Sequence, residues 1–296
     1  MKRREFIVAG ALLAASCAAP GAMGGETFRS DRISVVTQGS GPDVILVHGL
    51  GSSRDVWRET VAAVPGYRYH LVQMSGFGGT PIGEANKTGA VAGPVAEEIA
   101  RYIAEARLDR PAVIGHSMGG WIATALAARH PDVVSRIMIV DMLPFMGAMF
   151  GPPGTTPESI RPVADQIRDR MIASDDAARR QTITATIATM IKAEGRRAEA
   201  IEQSFASDAG MSARSMHELI ATDLRPELAN IKVPVTVLYV RSPAAPITDA
   251  QMDGFYKLSY ANVPQATLVR IPDAYHFIMW DAPARFAEEV RTFLGG

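Results

Sequence analysis

The chain has 296 residues, of which 47% are hydrophobic and 21% are charged, and its formal net charge is −1. This composition is typical of a globular protein with enough apolar residues for a full core, in one large domain or two small ones. The near-neutral charge argues against a general surface for nucleic acids or anionic membranes. The single cysteine, Cys17, excludes a framework of disulfides within the chain.

Residues 1–25 have the pattern of a signal peptide for export and are set apart from the fold. A basic start is followed by the apolar run Phe6–Ala15, which is too short to span a bilayer. The pair Arg3-Arg4 is similar to that of a twin-arginine signal, and a plain secretory signal is the alternative. We therefore expect a protein that is exported to the bacterial periplasm or cell envelope.

The way this segment is processed decides whether the protein is anchored. The stretch Ala14-Ala15-Ser16-Cys17 resembles the cleavage box of a lipoprotein, although Ala14 stands where leucine is usual. Lipidation of Cys17 would attach the chain to a membrane by a lipid anchor. Cleavage near Ala22 or Gly24 would instead release a chain without cysteine.

From residue 26 to 141 the sequence alternates short apolar runs with helical patterns. The patch Ile33–Thr37 alternates as an edge strand does, whereas Val44–Val47 is continuously apolar, as in a strand buried on both faces of a parallel sheet. Further strands are predicted at His70–Met74, Ala112–Ile114 and Arg136–Val140, and helices at Asp55–Val64, Gly93–Leu108 and 121–128.

Between residues 142 and 225 the alternation stops. Pro152-Pro153-Gly154 breaks the chain, and four helical patterns follow without a strand pattern between them, at 158–173, 175–193, 197–209 and 212–222. The alternation then resumes with strands at Val235–Tyr239 and Ala266–Ile271 and helices at 249–260 and 282–293. We predict a doubly wound, mostly parallel α/β sheet from residues 26–141 and 226–296, with residues 142–225 inserted as a helical cap or lid.

The stretch Gly115-His116-Ser117-Met118-Gly119 joins a predicted strand to a predicted helix. A serine at the centre of such a Gly-x-Ser-x-Gly turn lies on a strained corner with its hydroxyl exposed, and the flanking glycines let the strand and helix approach closely. The helix N-terminus favours negative charge that develops near Ser117. We therefore interpret Ser117 as a nucleophile; an ordinary turn between strand and helix is the alternative.

A serine nucleophile needs a base to take its proton, and histidine is the usual base because its pKa lies near neutrality. Of the six histidines, only His276 follows the last predicted strand on a loop at the carboxyl edge of the sheet. We interpret His276 as the general base. His116, next to the nucleophile, is expected to point its side chain elsewhere.

In this order the motifs resemble those of the α/β-hydrolase fold family, over nearly the whole chain after the signal. The resemblance rests on the His48-Gly49 loop, the Gly76–Thr80 turn, the Ser117 elbow, the helical insertion and Tyr275-His276-Phe277. It implies an oxyanion hole formed by the backbone N–H groups of Leu50 and Met118, and such donors contribute several kcal/mol to transition-state stabilisation. It also implies that His48 supports this loop and that the side chains of Leu50 and Met118 line the acyl site.

The third member of the catalytic triad departs from the family pattern. Most members carry an aspartate directly after the strand that corresponds to Val235–Tyr239, but the loop at residues 240–246 has no acid. Some members use an acid at the end of the strand after the nucleophile helix, where Asp141 stands. We favour Asp141; the alternatives are Asp249, at the start of a helix, and no carboxylate partner at all. Asp273 is expected only to turn its loop.

Serine at position 117 argues against haloalkane dehalogenase or epoxide hydrolase chemistry, for which such relatives need aspartate. We therefore expect a serine hydrolase that cleaves carboxylic esters through an acyl-enzyme intermediate. Its cap begins with the apolar run Met142–Phe150, which suits an adaptable pocket for apolar acyl groups. The expected partner is a small-molecule ester, and no motif indicates a cofactor, a metal or a nucleotide.

Three other functions stay open. A lactonase would use the same serine chemistry on a cyclic ester. An aminopeptidase-type acyl hydrolase would need acids to hold the substrate's ammonium group, and the candidates are Glu194, Glu199 and Glu202. A hydrolase-fold protein that binds esters without turnover is the third alternative, because the loop after Tyr239 lacks an acid.

Overall fold

A computed structural model describes residues 28–242 and 246–295. The predicted signal at residues 1–25, with its twin-arginine pair and the candidate lipid anchor Cys17, lies outside these residues. Among the described residues, no helix combines the length and the apolar character needed to cross a membrane.

Within the described residues, seven strands form one sheet in the spatial order β1-β3-β2-β4-β5-β6-β7. They are β1 (Ile33–Gly39), β2 (Asp43–Val47), β3 (Arg68–Met74), β4 (Ala112–His116), β5 (Arg136–Val140), β6 (Val235–Tyr239) and β7 (Thr267–Arg270). Only the edge strand β1 is antiparallel to its neighbour, and the other pairings are parallel. This confirms the predicted fold class.

Ten α-helices accompany the sheet in the described part of the chain. They are α1 (Arg58–Ala63), α2 (Ala92–Glu105), α3 (Met118–Arg129), α4 (Pro157–Ala173), α5 (Asp176–Met190), α6 (Glu194–Phe205), α7 (Ala209–Ala221), α8 (Asp249–Ser259), α9 (Ile278–Asp281) and α10 (Pro283–Gly295). The four helices α4 to α7 lie between β5 and β6, inside the segment for which a cap is predicted. The others connect or follow strands of the sheet.

The sheet is buried on both faces because helices cover each side. Successive side chains of a strand point to opposite sides and so enter the two cores in turn. Ile45 and Val47 of β2 pack in the core beneath α2, α3 and α8, whereas Val44 and Leu46 pack in the core beneath α1 and α10. Each fully buried aliphatic side chain stabilises the fold by about 1.5–3 kcal/mol. The continuous apolar runs seen in the sequence are thus explained by a core on each side of the sheet.

We call helices α4 to α7 the cap helices. Hydrogen bonds join them to the rest of the fold at several points. Glu218 on α7 accepts hydrogen bonds from the first amides of α2, those of Val91 (2.6 Å), Ala92 (2.8 Å) and Gly93 (2.8 Å). A carboxylate at this position satisfies N–H groups that have no partner within the helix and complements the helix dipole. Below the end of α5, Asp281 accepts from the amides of residues 192 (3.1 Å) and 193 (2.9 Å).

The parallel strands place their following loops at one edge of the sheet, which is where ligands bind in open α/β folds. The loop after β2 carries His48, the turn after β4 carries Ser117, and β5 is followed directly by Asp141. The loop after β7 carries His276. Residues that are far apart in the sequence therefore meet at this edge, beneath the cap.

Candidate active site

Ser117 lies at a sharp corner between β4 and α3. Its backbone has φ 52° and ψ −122°, which is a strained conformation for a residue with a side chain. A Cβ on Gly115 would lie 2.0 Å from the carbonyl oxygen of Gly119, and a Cβ on Gly119 would lie 2.1 Å from the carbonyl oxygen of Val47. Both glycines are therefore required for the close packing that holds Ser117 at this corner.

His276 and Asp141 form a direct pair at the same edge. The ring Nδ1 of His276 lies 2.6 Å from Oδ2 of Asp141, and both side chains are largely buried. A carboxylate on Nδ1 keeps the proton on that nitrogen and leaves Nε2 free to act as a base. Ser117, His276 and Asp141 line one cavity.

Asp141 is held in place by two further hydrogen bonds to its Oδ1. The amide of Val240 donates one (3.1 Å) and the hydroxyl of Tyr256 donates the other (3.1 Å). Asp141 itself has φ 53°, so its backbone is also in the left-handed region. Burial, together with the negative charge of Asp141, raises the pKa of the Tyr256 hydroxyl well above its ordinary value, so this hydroxyl stays a donor.

An acid after β5 can replace the usual acid after β6 because the two strands are neighbours. They pair in parallel, and the amide of Asp141 donates to the carbonyl of Leu238 (2.7 Å). The loop after β6 therefore supplies a backbone amide, that of Val240, to the carboxylate instead of a carboxylate of its own.

Neither of the other candidate aspartates reaches His276. Asp249, at the start of α8, pairs with Arg241 (2.5 Å) and Arg270 (2.7 Å) on the surface. Asp273 has φ 61° and an almost fully exposed side chain, as expected for a residue that turns its loop. The structure thus brings one of the three aspartates to the histidine.

His116 differs from the expectation that its side chain points away from the site. Its ring lies against that of His276, with 4.6 Å between the ring centroids, and its Nε2 donates to the carbonyl of His276 (3.1 Å). The ring is fully buried, and burial, together with repulsion between a protonated His116 and the charged form of His276, holds the pKa of His116 well below its ordinary value. His116 is therefore neutral and supports the loop that carries the candidate base.

The backbone amides of Leu50 and Met118 donate no hydrogen bond to any residue in the described ranges. Free N–H groups at these two positions are what an oxyanion hole requires. His48 supports the first of them: its Nδ1 donates to the carbonyl of Gly49 (2.8 Å), and its Nε2 accepts from the amide of Met74 (3.1 Å). Burial lowers the pKa of His48 to about 4, which keeps the ring neutral as this pattern demands.

Gln73, on β3, connects the loop after β2 with the turn after β3. Its amide oxygen accepts from the amide of Arg54 (3.0 Å), and its amide nitrogen donates to the carbonyls of Met74 (3.1 Å) and Phe77 (3.1 Å). A neutral amide can both accept and donate here, as these three hydrogen bonds require. Gln73 is thus a structural residue of the loop.

The cavity has a volume of about 560 Å³ and a mostly apolar wall. Leu50 lines it, as expected, but Met118 does not, because its side chain is fully buried in the core on the α3 side of the sheet. The expectation for the Met118 side chain was therefore wrong. Seven other methionines line the wall, namely Met142, Met146, Met149, Met171, Met190, Met216 and Met252.

The acids that an aminopeptidase would need are not in the cavity. Glu194, Glu199 and Glu202 face Arg197, Arg196 and Arg180 respectively, and none of the three lines the cavity wall. In the described part of the chain, no three His, Cys, Asp or Glu side chains are grouped closely enough to hold a metal ion. At the sheet edge, the polar groups of the cavity include those of Ser117, the two histidines, Asp141 and the loop of residues 48–53, here called the oxyanion loop; Arg170 and Arg179 of the cap also line the cavity.

A mostly parallel sheet that presents a serine elbow, a histidine loop and an aspartate at one edge is the architecture of an α/β hydrolase. The sequence profile of the alpha/beta hydrolase fold family matches residues 42–283, and the chain belongs to this family.

Individual relatives support the same family. The pimeloyl-[acyl-carrier protein] methyl ester esterase of Aliivibrio salmonicida is 28% identical over 263 residues, which cover 87% of this chain and 94% of that protein. The enzyme of the same name from Vibrio vulnificus is 31% identical over 134 residues, about half of its length. Among solved structures, an esterase from Exiguobacterium antarcticum has a TM-score of 0.74 at 20% identity, over 89% of this chain and 96% of that one.

Two residues that contact Asp141 were not found by sequence reasoning. The Val240 amide contributes through its backbone, which no side-chain pattern reveals. Tyr256 had a weak signal: it lies four residues before Tyr260, which directly follows α8, so the two are on the same side, and Tyr260 donates to the carbonyl of Met142 (2.7 Å), next to the acid.

Proposed function

We propose that this protein hydrolyses carboxylic esters through a covalent acyl-enzyme on Ser117. The observation that carries the proposal is the 2.6 Å pair between His276 and Asp141, in the cavity that Ser117 also lines. A serine on a strained corner, a base oriented by a carboxylate, and two free amides supply the nucleophile, the proton acceptor and the oxyanion donors of acyl transfer.

The first half of the reaction forms the acyl-enzyme. The hydroxyl oxygen of Ser117 attacks the ester carbonyl while Nε2 of His276 takes its proton. The negative charge on the carbonyl oxygen is stabilised by the amides of Leu50 and Met118, and Asp141 stabilises the imidazolium that forms. The carbon–oxygen bond to the alcohol then breaks, and His276 returns the proton to the leaving alcohol.

The second half regenerates the serine. A water molecule attacks the acyl carbonyl, again with His276 as base and the same two amides as donors. The bond to Ser117 breaks, the serine recovers its proton from His276, and a carboxylic acid leaves. The net reaction consumes one water and yields one acid and one alcohol.

The cavity favours esters with an apolar acyl chain and a small alcohol. Its wall is mostly apolar, and unbranched methionines adapt to chains of different shape. The relatives from Aliivibrio salmonicida and Vibrio vulnificus are named as methyl ester esterases, which agrees with a small leaving alcohol. We therefore propose methyl and other short-alcohol esters of medium acyl chains as the substrate class.

The test is hydrolysis of p-nitrophenyl esters from acetate to palmitate and of the matching methyl esters by purified protein, together with labelling by a fluorophosphonate. We expect turnover of the esters, covalent labelling of wild type, and a loss of about four orders of magnitude or more in kcat with Ser117→Ala, which is also not labelled. Circular dichroism checks that the variant is folded. Retained activity in Ser117→Ala would exclude the mechanism, and turnover of lactones alone would exclude the substrate class.

Export through residues 1–25 is a separate proposal that rests on the sequence pattern of that segment. Fractionation of cells that express the whole chain tests it. We expect the protein in the envelope or periplasmic fraction, and we expect Cys17→Ser to release it from the membrane if Cys17 carries the anchor.

A further inference from the structure

The cavity beside Ser117 carries positive charge that its own acids do not neutralise. Two arginines of the cap, Arg170 and Arg179, are among its lining residues. Of the described residues that line it, the one acid is Asp141, and that carboxylate already binds His276, Tyr256 and the amide of Val240. An anion in this apolar space would therefore meet two guanidinium groups.

Arg179 projects into the cavity from α5. Together with Thr182, Ile183, Thr186, Ile187 and Met190 it lines the wall, and this spacing corresponds to one face of the helix. Its Nη2 donates to the carbonyls of Ser204 (3.1 Å) and Ser207 (2.5 Å), near the C-terminal end of α6. Its Nε and Nη1 donate to no residue in the described ranges, and in that part of the chain Arg179 forms no ion pair.

Arg180, the next residue on the same helix, differs from Arg179 because a carboxylate neutralises its charge. Arg180 forms two hydrogen bonds with the carboxylate of Glu202 (2.7 Å and 3.3 Å) and does not line the cavity. Both guanidinium groups lie against the ring of Phe205, at 5.1 Å for Arg179 and 4.0 Å for Arg180. Arg180, which points away from the cavity, is thus paired with a carboxylate, whereas Arg179, which lines the cavity, has no carboxylate partner in the described part of the chain.

The two cavity arginines lie at different depths. Ser204, which accepts from Arg179, also donates its hydroxyl to the carbonyl of Gly51 (3.1 Å) in the oxyanion loop, so Arg179 is one residue removed from that loop. Arg170, near the end of α4, is exposed, and its side chain forms no hydrogen bond or ion pair within the described residues. Positive charge therefore extends from the surface of the cap toward the oxyanion loop.

On the basis of the proposed ester hydrolysis, we propose that this cavity selects esters whose acyl chain ends in a carboxylate, that is, monoesters of dicarboxylic acids. Arg179 is the residue that binds the carboxylate, through its unused Nε and Nη1, and Arg170 attracts the anion at the surface. A guanidinium presents two parallel donors that match a carboxylate, and the apolar surroundings strengthen the attraction. The methylene chain between the ester and the carboxylate packs on the methionines.

The test compares two matched series of methyl esters. One series consists of monomethyl dicarboxylates from succinate to sebacate, and the other of methyl esters of monocarboxylic acids with the same numbers of carbons. For wild type we expect kcat/KM to be about tenfold or more higher for the charged series at the best chain length, since hydrogen bonds between a guanidinium and a carboxylate are among the strong ones. Added salt should weaken this preference, and the loss should appear mostly as a higher KM for the charged series.

Three variants assign the effect to Arg179. Arg179→Gln should bring the ratio between the two series close to one, Arg179→Lys should restore part of it, and Arg180→Gln should keep the wild-type ratio. Equal ratios in wild type, or the same change in Arg179→Gln and Arg180→Gln, would overturn the proposal. Thermal unfolding of each variant shows whether the cap has kept its fold, and partial rescue by Arg179→Lys separates charge from packing.

Two further measurements keep this proposal distinct from the proposed function. Calorimetry with Ser117→Ala compares the binding of monomethyl suberate and methyl octanoate, so the anion site can be tested even if no ester is hydrolysed; equal or stronger binding of methyl octanoate would contradict it. Acetate esters of ω-hydroxy acids place the carboxylate on the alcohol instead. A preference for these over the monomethyl dicarboxylates would overturn the assignment of Arg179 to the acyl chain.

Discussion

The sheet edge and the cap contribute to the cavity in opposite ways. At the sheet edge the polar groups are fixed by backbone: Ser117 and Asp141 both have positive φ, and Asp141 has three hydrogen-bond donors around it. The cap supplies methionines, branched aliphatic side chains and two arginines to the wall, and it joins the fold through hydrogen bonds and through apolar side chains such as Met211 and Leu219. If the proposed ester hydrolysis holds, we expect the sheet edge to set the rate of the chemistry and the cap to set which ester is accepted.

The strongest way to break this comparison is to change the acid at the sheet edge. Asp141→Asn should lower kcat by about three to four orders of magnitude for every ester, because the amide no longer orients His276 or stabilises its imidazolium. Steady-state kinetics on one short and one medium ester measures the loss.

The matched control for this change is the other candidate acid. Asp249 is bound to Arg241 and Arg270 away from the site, so Asp249→Asn should change kcat by less than about twofold. A collapse in Asp249→Asn with little change in Asp141→Asn would mean that the loop after β6 rearranges to bring Asp249 to His276.

The attachment of the cap can be weakened without touching the catalytic residues. Glu218→Ala removes the acceptor for three amides at the start of α2 and should lower the free energy of unfolding by about 2–3 kcal/mol. Urea denaturation measures the change. Glu202→Ala, which removes an exposed ion pair of the cap, should lower the free energy of unfolding much less than Glu218→Ala does; equal losses would show that Glu218 does not connect the cap to the rest of the fold.

The pH dependence of stability tests the buried histidine of the oxyanion loop. His48 has its pKa lowered to about 4 by burial, against about 6.5 in the unfolded chain. Below pH 6.5 the unfolded state therefore binds the extra proton, and stability falls as the pH is lowered toward 4. From pH 7 to pH 5 this single group should reduce the free energy of unfolding by about 2 kcal/mol.

Urea denaturation at both pH values measures this loss. His116, whose pKa is also lowered, acts in the same direction. His48→Gln should make the dependence shallower by about the contribution of one histidine. An unchanged dependence would show that His48 is not buried as a neutral ring.

The smallest expected effect comes from the hydroxyl that supports Asp141. Tyr256→Phe removes one donor to the carboxylate and should lower kcat/KM by about fivefold, corresponding to about 1 kcal/mol. Tyr260→Phe is the control because its hydroxyl binds the carbonyl of Met142 rather than the carboxylate. We expect Tyr260→Phe to lower the free energy of unfolding and to change kcat/KM less than Tyr256→Phe does. A larger loss of kcat/KM in Tyr260→Phe would show that the Tyr256 hydroxyl does not support Asp141.

Most of the fold could be predicted from the sequence because its elements have strong local patterns. The strand Val235–Tyr239 is found with the predicted bounds, and the four cap helices lie close to the predicted ranges. The second of them, predicted to reach Ala193, ends at Met190. The amides that follow are held by Asp281, which lies 88 residues further on from Ala193, and no local pattern contains that contact.

The candidate site was less predictable where it depends on which strands are neighbours. The sequence offered Asp141 and Asp249 as acids, and the choice depends on the pairing of β5 with β6 and on the path of the loop that carries His276. The directions of individual side chains were harder still: Met118 packs into the core, and His116 turns toward His276. The direction of such a side chain depends on how several elements pack around it, and the hydrophobic periodicity of the sequence does not show that packing.

Two hydrogen bonds between the cap and the loops at the sheet edge link the position of the cap to the order of binding and cleavage. The hydroxyl of Ser204 on α6 donates to Gly51, next to the amide of Leu50, and Ser207 accepts from the amide of Gly78. Lifting α6 to admit a substrate would release these bonds and loosen the loop that stabilises the oxyanion. For the proposed hydrolase, access and reactivity would then alternate: the open form would cleave poorly, and the closed form would cleave only a substrate already enclosed.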